Sequence, residues 1–260
     1  MIRTVHVSDV GLVRSVNEDT AWTQQLGHGL TLGIVADGMG GHQAGDVASK
    51  LAVETIVTDL SEISNDVSLQ ECEIALKEAI IHANEVVYRR AQQHEEYRNM
   101  GTTVVAALLK GQAGIIGHIG DSRAYLYRQE KLEQLTEDHS LVNVLLKNKQ
   151  ISAAEASVHP RRNVLTRALG TDEEVMVDMD HITLELGDTL VICSDGLSNF
   201  VTTAQMIDTL GNTLLSLQSR ADTLLQLALE AGGEDNITVV LIELGGDTED
   251  TGSSTKELKA

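Results

Sequence analysis

The sequence is poor in proline, cysteine and aromatic residues. Among its 260 residues there are one proline and two cysteines, and aromatic residues make up only 2%. Because hydrophobic residues still account for 42% of the chain, the core is expected to consist mainly of Val, Ile, Leu and Ala. Cys72 and Cys193 lie far apart and form no Cys-x-x-Cys pair, which argues against a disulfide scaffold or a structural zinc site. This cysteine usage fits a reducing cytosol and predicts a cytoplasmic protein.

Basic residues are also scarce. Lys and Arg together number 19 against 39 Asp and Glu, which gives a formal net charge of −20 at pH 7. Such an acidic surface repels phosphate backbones and anionic lipids, so we expect no nucleic-acid partner. No apolar run approaches the ~20 residues that span a bilayer, and Met1 to Leu12 lacks the apolar core and basic flank of a signal peptide. The sequence therefore predicts no membrane insertion.

Hydrophobic periodicity predicts groups of strands and pairs of helices. Strands are expected over residues 4–10, 20–24, 30–36, 102–109, 115–119, 124–127, 131–135, 174–184, 189–194 and 236–244. Helices are expected over residues 46–60, 69–95, 140–148, 203–210 and 214–231. Strands and helices do not alternate strictly, so a parallel sheet is not expected. The pattern favours antiparallel sheets that pack together and are covered by helices.

Two segments carry further expectations. The helix over 69–95 is amphipathic, and its buried face is predicted to contain Ile74, Ala75, Ala79, Ala83, Val86 and Val87. Residues 151–168 include the only proline and the adjacent Arg161 and Arg162. An irregular basic segment in an acidic chain is a candidate functional loop.

One stretch, Val35 to His42, stands out by its chemistry. Asp37 follows an apolar run of strand-forming residues, Leu30 to Ala36, so the strand is predicted to end there, and Gly38 comes next. Glycine lets the backbone approach a ligand closely, and acidic oxygen ligands suit a divalent metal such as Mg or Mn. Taken alone, the pair is better explained as an ordinary Asp-Gly turn.

Four further acids lie at the ends of predicted strands. Asp121 and Asp195 follow strands, whereas Asp235 and Asp19 precede them. Antiparallel packing can bring such ends to one edge, where carboxylates repel each other unless cations neutralise them. Ligands that are all oxygen select Mg or Mn over Zn. The alternative is a set of separate turn and cap residues on a solvated surface, but five acids at strand ends favour the metal site.

Six short motifs occur in order along the chain. They are Arg14-x-x-Asn17-Glu18-Asp19, Val35-Ala36-Asp37-Gly38-Met39-Gly40-Gly41-His42, Gly101-Thr102-Thr103, Gly120-Asp121-Ser122-Arg123, Ser194-Asp195-Gly196-Leu197 and Gly233-Glu234-Asp235-Asn236-Ile237-Thr238. In this order and spacing they resemble the motifs of the metal-dependent type 2C Ser/Thr protein phosphatases, the PPM family. The resemblance covers about residues 3–243 and is greatest to small single-domain bacterial members that oppose membrane Ser/Thr kinases.

The resemblance implies an α+β fold. The expected architecture is a four-layer α-β-β-α sandwich, in which two central antiparallel sheets are flanked by helix pairs. Residues 1–244 are expected to form the catalytic domain. Residues 245–260 are short of apolar side chains and are expected to form a disordered acidic tail.

The resemblance also implies two Mn²⁺ or Mg²⁺ ions at one end of the sandwich. Asp37 is expected to bridge both metals, and the Gly38 carbonyl to bind one of them. Asp195 and Asp235 are expected to hold the other metal. Asp19 is expected to act mainly through coordinated waters.

Two more residues match family positions at this site. Asp121 matches the position that helps to hold a weaker third metal. Arg14 matches the arginine that grips the substrate phosphate, for which its planar guanidinium is suited. The residues alone leave a second explanation for Arg14, a surface arginine paired to Glu18 or Asp19.

The general acid is left open by the resemblance. Many eukaryotic members have a histidine directly after the Asp-Gly pair, whereas this chain has Met39 there. The proton donor is then either His42 or a metal-bound water, and His42 could equally cap the following helix or lie in solvent. Residues 140–170 match the family's mobile flap beside the active site, and their basic side chains are expected to help choose substrates.

The implied function is hydrolysis of phosphoserine and phosphothreonine by a hydroxide that bridges two metals, without a phosphoenzyme. The expected partners are phosphoproteins, including a cognate bacterial membrane Ser/Thr kinase, and the protein is expected to be a monomer. One alternative is a catalytically inactive member of the fold that binds a partner, against which the intact carboxylates argue. The other is a metal-dependent phosphodiesterase, for which the net charge of −20 makes nucleic acid a poor substrate.

Overall fold

A computed structural model describes residues 1–26, 29–40, 44–63 and 67–245. His42 and residues 246–260 of the predicted tail lie outside the described residues. The strands are β1 (Ile2–Asp9), β2 (Asp19–Leu26), β3 (Leu30–Met39), β4 (Gly101–Thr102), β5 (Val104–Lys110), β6 (Ala113–Ile119), β7 (Arg123–Arg128), β8 (Lys131–Gln134), β9 (Asp178–Thr183), β10 (Thr189–Cys193) and β11 (Ile237–Leu244). The helices are α1 (Ala44–Ser61), α2 (Leu69–Gln93), α3 (Leu141–Lys147), α4 (Ala153–Ser157), α5 (Asp195–Ser198), α6 (Thr203–Gly211) and α7 (Leu217–Glu230).

The strands form two antiparallel sheets. The first sheet has the order β1-β11-β10-β7-β8. The second has the order β2-β3-β5-β6-β9, and β4 pairs with the end of β3. Consecutive strands or helices thus occur in groups, which is why the sequence lacks the strict alternation of a parallel sheet.

Alternation of side chains along the central strands produces the layers of the core. Val35 and Ile192 lie in the aliphatic cluster between the two sheets. Ile34, one residue before Val35, lies on the opposite face of the second sheet in a cluster with α1 and α2. Val191 lies on the opposite face of the first sheet in a cluster with α6 and α7. The layers therefore follow the order α-β-β-α, which confirms the predicted architecture.

The third strand is longer than predicted. The sequence indicated an end at Ala36, but β3 continues through Asp37 and Gly38 to Met39. It continues because Asp37 pairs with Asp19 of β2, and because Gly38 and Met39 pair with β4. The prediction that Asp37 ends a strand is therefore wrong, as is the Asp-Gly turn considered for it.

The buried face of α2 also differs from the predicted one. Ile74 is 50% exposed, whereas Cys72, Leu76 and Ile80 are buried. The buried residues are spaced four apart, and Ile74 lies midway between two of them, on the other side of a helix with 3.6 residues per turn. For three members of the predicted face, burial is confirmed: Ala79, Ala83 and Val87.

The segment between β8 and β9 contains two short, capped helices. The Oγ of Ser140 accepts a hydrogen bond from the Asn143 N–H at the start of α3. Ser152 forms a capping box with Glu155 at the start of α4, so the candidate loop over 151–168 is partly helical. Among the residues that the structure describes, no helix has the length and apolar character needed to cross a bilayer.

Truncation of an inter-sheet side chain tests this core. Leu190→Ala is expected to lower the free energy of unfolding by about 2–5 kcal/mol, because Leu190 is fully buried between the sheets and its loss leaves a cavity. Leu214→Ala is the matched control, since Leu214 is 95% exposed, and should change that free energy by less than about 0.5 kcal/mol. Urea unfolding followed by circular dichroism measures both. Equal effects would contradict the assigned core.

Candidate metal centre

The sandwich brings the five predicted acids together at one edge. Asp19, the first residue of β2, is the register partner of Asp37 in β3. Asp121 follows β6, Asp195 opens α5 directly after β10, and Asp235 precedes β11. The charge of each of the other four acts on the Asp37 carboxyl. The structure therefore brings together acids from both sheets, as the sequence predicted.

Burial and mutual repulsion raise the pKa values of four of these acids, Asp19, Asp37, Asp121 and Asp195. Removal from water is the largest cause in each case, and neighbouring carboxylates add to it. The pKa of Asp37 is raised well above its ordinary value, and those of Asp19 and Asp121 are raised to about 7. The pKa of Asp195 is raised to about 6. Nearby cations would relieve this repulsion and hold the acids in their ionised form.

Asp19 is held so that one carboxylate oxygen stays without a partner. The Ser194 hydroxyl donates to Asp19 Oδ2 over 2.7 Å, and the Asp19 N–H donates to Asn17 Oδ1 over 3.2 Å. Asp19 Oδ1 is buried and makes no hydrogen bond to a described residue. A buried oxygen of this kind is costly unless it has a partner, and a divalent cation is a suitable one.

The backbone of Asp37 is fixed by two threonines. Its carbonyl oxygen accepts hydrogen bonds from the Thr103 N–H at 2.8 Å and the Thr102 hydroxyl at 2.9 Å. Its N–H donates to Thr103 Oγ1 over 3.0 Å, and the same oxygen lies 2.7 Å from Ser122 Oγ. These contacts satisfy the backbone N–H and carbonyl of Asp37 within the fold and leave its carboxylate available for a ligand.

Gly38 lies where no side chain would fit. A Cβ at this position would be 2.1 Å from the Gly45 carbonyl oxygen and 2.6 Å from the Glu18 carbonyl oxygen. The Gly38 N–H donates to that Glu18 oxygen over 3.1 Å. The start of α1 thus packs directly against the strand beside Asp37, which explains why glycine follows the acid.

Arg14 lies at the rim of the acid cluster. Its Nη2 donates to Asp235 Oδ2 over 2.8 Å, and half of its side chain is exposed. The sequence left open a surface arginine paired to Glu18 or Asp19, but the ion pair is with Asp235 instead. A cation therefore already balances one acid of the cluster.

Asn236 ties the two loops at this edge together. Its Oδ1 accepts from the Glu18 N–H over 2.8 Å, and its Nδ2 donates to the carbonyl oxygens of Val10 and Val16 over 3.0 Å. Sequence reasoning quoted Asn236, Ser194 and Thr103 within motifs but assigned them no role. Only their position inside those motifs pointed to them.

The chain matches proteins of a known family. The family model described as Protein phosphatase 2C matches residues 13–230. The chain belongs to the protein phosphatase 2C family. The serine/threonine phosphatase stp of Listeria welshimeri is 42% identical to this phosphatase over 236 residues, which cover 91% of this chain and 93% of that one.

Solved structures share the fold of this phosphatase. The serine/threonine phosphatase of S. agalactiae has a TM-score of 0.89 and 36% identity, over 94% of this chain and 100% of that one. The catalytic domain of the phosphatase PstP, in complex with 2 manganese ions, has a TM-score of 0.81 and 32% identity, over 94% and 99% of the two chains. The predicted family, α+β fold and metal-dependent class of enzyme are thereby confirmed.

A groove of about 710 Å³ opens beside the acids of the phosphatase. Asp121 and Asp195 line one end of it. Leu146, Val158 and Arg162 line it from the segment between β8 and β9. The predicted flap therefore lies beside the carboxylates. His42 lies outside the described residues, so its part as a proton donor stays a prediction.

A second group of potential metal ligands contains none of the five predicted acids. His118, His139 and Asp178 each offer one ligand atom, and these atoms lie within 4.8 Å of one another. Sequence reasoning singled out none of the three.

The raised pKa values predict how pH affects the stability of the metal-free phosphatase. A carboxyl with a folded pKa above its unfolded value of 3.8 binds its proton more tightly when folded. The resulting stabilisation is complete below that unfolded value and is lost as the pH rises through the folded pKa. With folded pKa values of about 6 for Asp195 and about 7 for Asp19, stability in EDTA is expected to fall between about pH 5 and about pH 8.

Asp195→Asn removes one of the repelling charges. At about pH 8 in EDTA it is expected to raise the free energy of unfolding by on the order of 1 kcal/mol. Asp222→Asn is the control, because Asp222 lies exposed on α7 and should leave the pH dependence unchanged. Urea unfolding at both pH values measures this, and a metal-free Asp195→Asn protein that is less stable than the wild type at about pH 8 would contradict the assigned repulsion.

Proposed function

We propose that this phosphatase hydrolyses phosphoserine and phosphothreonine in proteins at a centre of two Mn²⁺ or Mg²⁺ ions, with a weaker third ion. The observation that carries the proposal is the convergence of five carboxylates, in four of which, Asp19, Asp37, Asp121 and Asp195, removal from water raises the pKa. These five side chains offer oxygen ligands, which suit Mn²⁺ and Mg²⁺. The name and the 2 manganese ions of the PstP catalytic domain support the same reading.

Each acid then has a part in holding the ions. Asp37 and the Gly38 carbonyl bind the ion pair from β3, and Asp195 and Asp235 bind it from the first sheet. Asp19 supports the pair through its unpartnered Oδ1. This division is supported by the origin of the acids in different sheets and by the buried, unpaired oxygen of Asp19.

Asp121 completes the ligand set as the acid for the weaker third ion. It lines the groove together with residues of the flap, and its pKa is raised to about 7 mainly by burial and by Asp195. Divalent cations in such a centre lower the pKa of water towards neutrality and offset charge on the phosphoryl oxygens.

Arg14 binds the substrate phosphate. Its guanidinium offers a planar pair of N–H donors that matches two phosphate oxygens, and it is held at the rim by Asp235. Because this side chain is half-exposed, a phosphate on a protein surface can reach it. Arg14 therefore orients the phosphoryl group towards the carboxylate edge.

The substrates are phosphoproteins made by a Ser/Thr kinase, including that kinase. The names of the relatives support a phosphoprotein substrate. Cys72 and Cys193 are both buried and free, which supports a reducing, cytoplasmic location. A monomeric state stays a prediction.

The two alternatives are less well supported. A binding module without activity would not need to retain four acids whose pKa values are raised by desolvation and mutual repulsion, since each costs stability. A phosphodiesterase acting on nucleic acid would face a chain of net charge −20. A phosphopeptide assayed beside bis-p-nitrophenyl phosphate separates monoesterase from diesterase activity.

Removal of metal or of its ligands is expected to abolish turnover. Hydrolysis of p-nitrophenyl phosphate should require Mn²⁺ and stop in EDTA, and Asp37→Asn or Asp195→Asn should lower kcat by more than about 100-fold, because even outer-shell partners of metals contribute about 10- to 100-fold. Asp222→Asn is the matched control and should keep full activity. Undiminished turnover in EDTA would overturn the proposal, and near wild-type kcat in either site variant would remove that residue from the centre.

Substitution of Arg14 is expected to weaken phosphate binding. Arg14→Ala should raise KM for a phosphopeptide by about 10-fold, and Arg14→Lys should restore little of it, because an ammonium group does not match two oxygens at once. Arg89→Lys, on the exposed face of α2, is the matched control. A fully active Arg14→Lys protein would show that charge alone suffices.

A further inference from the structure

His139 forms hydrogen bonds with both the N–H and the carbonyl oxygen of Gly120, the residue before Asp121. The Gly120 N–H donates to His139 Nδ1 over 3.0 Å. The His139 N–H donates to the Gly120 carbonyl oxygen over 2.8 Å. Gly120 has a φ of +106°, and a Cβ there would lie 2.6 Å from Thr103 Cβ. The backbone that leads into Asp121 is thus unusual in conformation and is held chiefly by one buried histidine.

These hydrogen bonds determine where the ring of His139 carries its proton. Because Nδ1 accepts from a backbone N–H, it has no proton of its own. Nε2 must then carry the proton, and it donates to Asp178 Oδ2 over 3.1 Å. Burial lowers the pKa of His139, which keeps the ring neutral. Both ring nitrogens are therefore used.

The same proton argues against a metal at His118, His139 and Asp178. A histidine nitrogen that binds a metal needs a free lone pair, and His139 has none left. Asp178 is also occupied, since Arg167 donates to Oδ1 over 2.6 Å and to Oδ2 over 3.2 Å. The proximity of these three residues is explained by a hydrogen-bonded chain from Gly120 through His139 and Asp178 to Arg167, with His118 stacked on His139.

His139 is also the point where the two ends of the flap meet. Its carbonyl oxygen accepts from the Thr166 N–H over 2.8 Å, next to a bridge between Ser140 and Leu165. Arg167 follows Thr166 and closes the chain through Asp178. His118 stacks on the ring at 4.7 Å between centroids and 19° between planes. One side chain thus joins the flap to the backbone of Asp121.

We propose that His139, at the base of the flap, is a positioning residue that holds the Gly120 peptide and thereby the metal ligand Asp121. This inference rests on the proposed part of Asp121 in binding the third ion. The imidazole fixes the Gly120 peptide through Nδ1 and the flap through Nε2. Loss of the Nδ1 contact should free the Gly120 peptide and weaken metal binding, whereas loss of the Nε2 contact alone should not.

The first test uses the wild-type, metal-free protein. Long-range ¹H–¹⁵N spectra of the histidine rings are expected to show His139 neutral, with its proton on Nε2. A proton on Nδ1 would overturn the proposal, and this measurement does not depend on any variant folding.

The second test separates the two contacts with a pair of variants. In His139→Asn the amide oxygen takes the place of Nδ1 and keeps the Gly120 contact, whereas in His139→Gln the amide nitrogen takes the place of Nε2 and keeps the Asp178 contact. Exchange of the Gly120 amide in metal-free protein is expected to rise by about 5- to 10-fold in His139→Gln, the effect of losing one hydrogen bond, and to stay within about twofold in His139→Asn. Equal exchange rates in the two variants would overturn the proposal.

The Mn²⁺ requirement of the enzyme tests whether His139 acts on the metal ligand Asp121. The Mn²⁺ concentration for half-maximal hydrolysis of p-nitrophenyl phosphate is expected to rise by about 10-fold in His139→Gln and by less than about twofold in His139→Asn. His181→Gln is the matched control, because His181 lies in β9, the strand that begins at Asp178, is 56% exposed and contacts only the surface residue Glu73 among the described ion pairs. An unchanged Mn²⁺ requirement in His139→Gln would overturn the coupling. A wild-type protein without Mn²⁺-dependent activity would instead overturn the proposed function, while the exchange comparison would still stand.

Discussion

Repulsion among buried carboxylates at one edge of the sandwich is the constraint on which the rest of the site depends. Asp37 is affected by the charges of four other acids, and removal from water is the largest cause of its raised pKa. Such a cluster costs stability unless protons or cations neutralise it. The neighbouring groups hold the acids in place despite that cost. The backbone of Asp37 is hydrogen-bonded to Thr103, and the carboxylate of Asp19 accepts a hydrogen bond from Ser194.

The structure shows two ways in which the charge is balanced before any metal arrives. Raised pKa values let protons occupy part of the cluster near neutral pH, and Arg14 pairs with Asp235. Protons and metal ions then compete for the same oxygens, because a ligand carboxylate must lose its proton to bind a cation. Under the proposed roles, Arg14 would share Asp235 with a metal ion while it binds the substrate phosphate. The proposal therefore links substrate binding and metal binding through one ion pair.

Much of the fold could be predicted from the sequence, because the hydrophobic periods of two and 3.6 residues that mark strands and helices are local. The acid cluster could be predicted because its motifs follow one another in a recognisable order along the chain. The predictions that were wrong depend on contacts between segments that are distant in the sequence. Nothing near Asp37 shows that β4 will extend its strand to Met39, and nothing near Ile74 shows which side of α2 meets the sheet. The bond between Ser194 and Asp19 joins residues 175 positions apart. His139 was missed because its significance lies in the tautomer, which only its two partners reveal.

The inter-sheet core also sets the geometry of the site. Asp37 lies within β3 and Asp121 follows β6, both strands of the second sheet, whereas Asp195 follows β10 and Asp235 precedes β11 in the first. The proposed pair of ions, held by Asp37 from one sheet and by Asp195 and Asp235 from the other, would have to bridge the two sheets, which stack about 10 Å apart in such sandwiches. That spacing is fixed by the aliphatic side chains between the sheets, among them Val35 next to Ala36 and Ile192 next to Cys193. A close-packed core resists changes in thickness, so the small aliphatic residues of a chain almost without aromatics act as the spacer that keeps the acids within reach of shared cations.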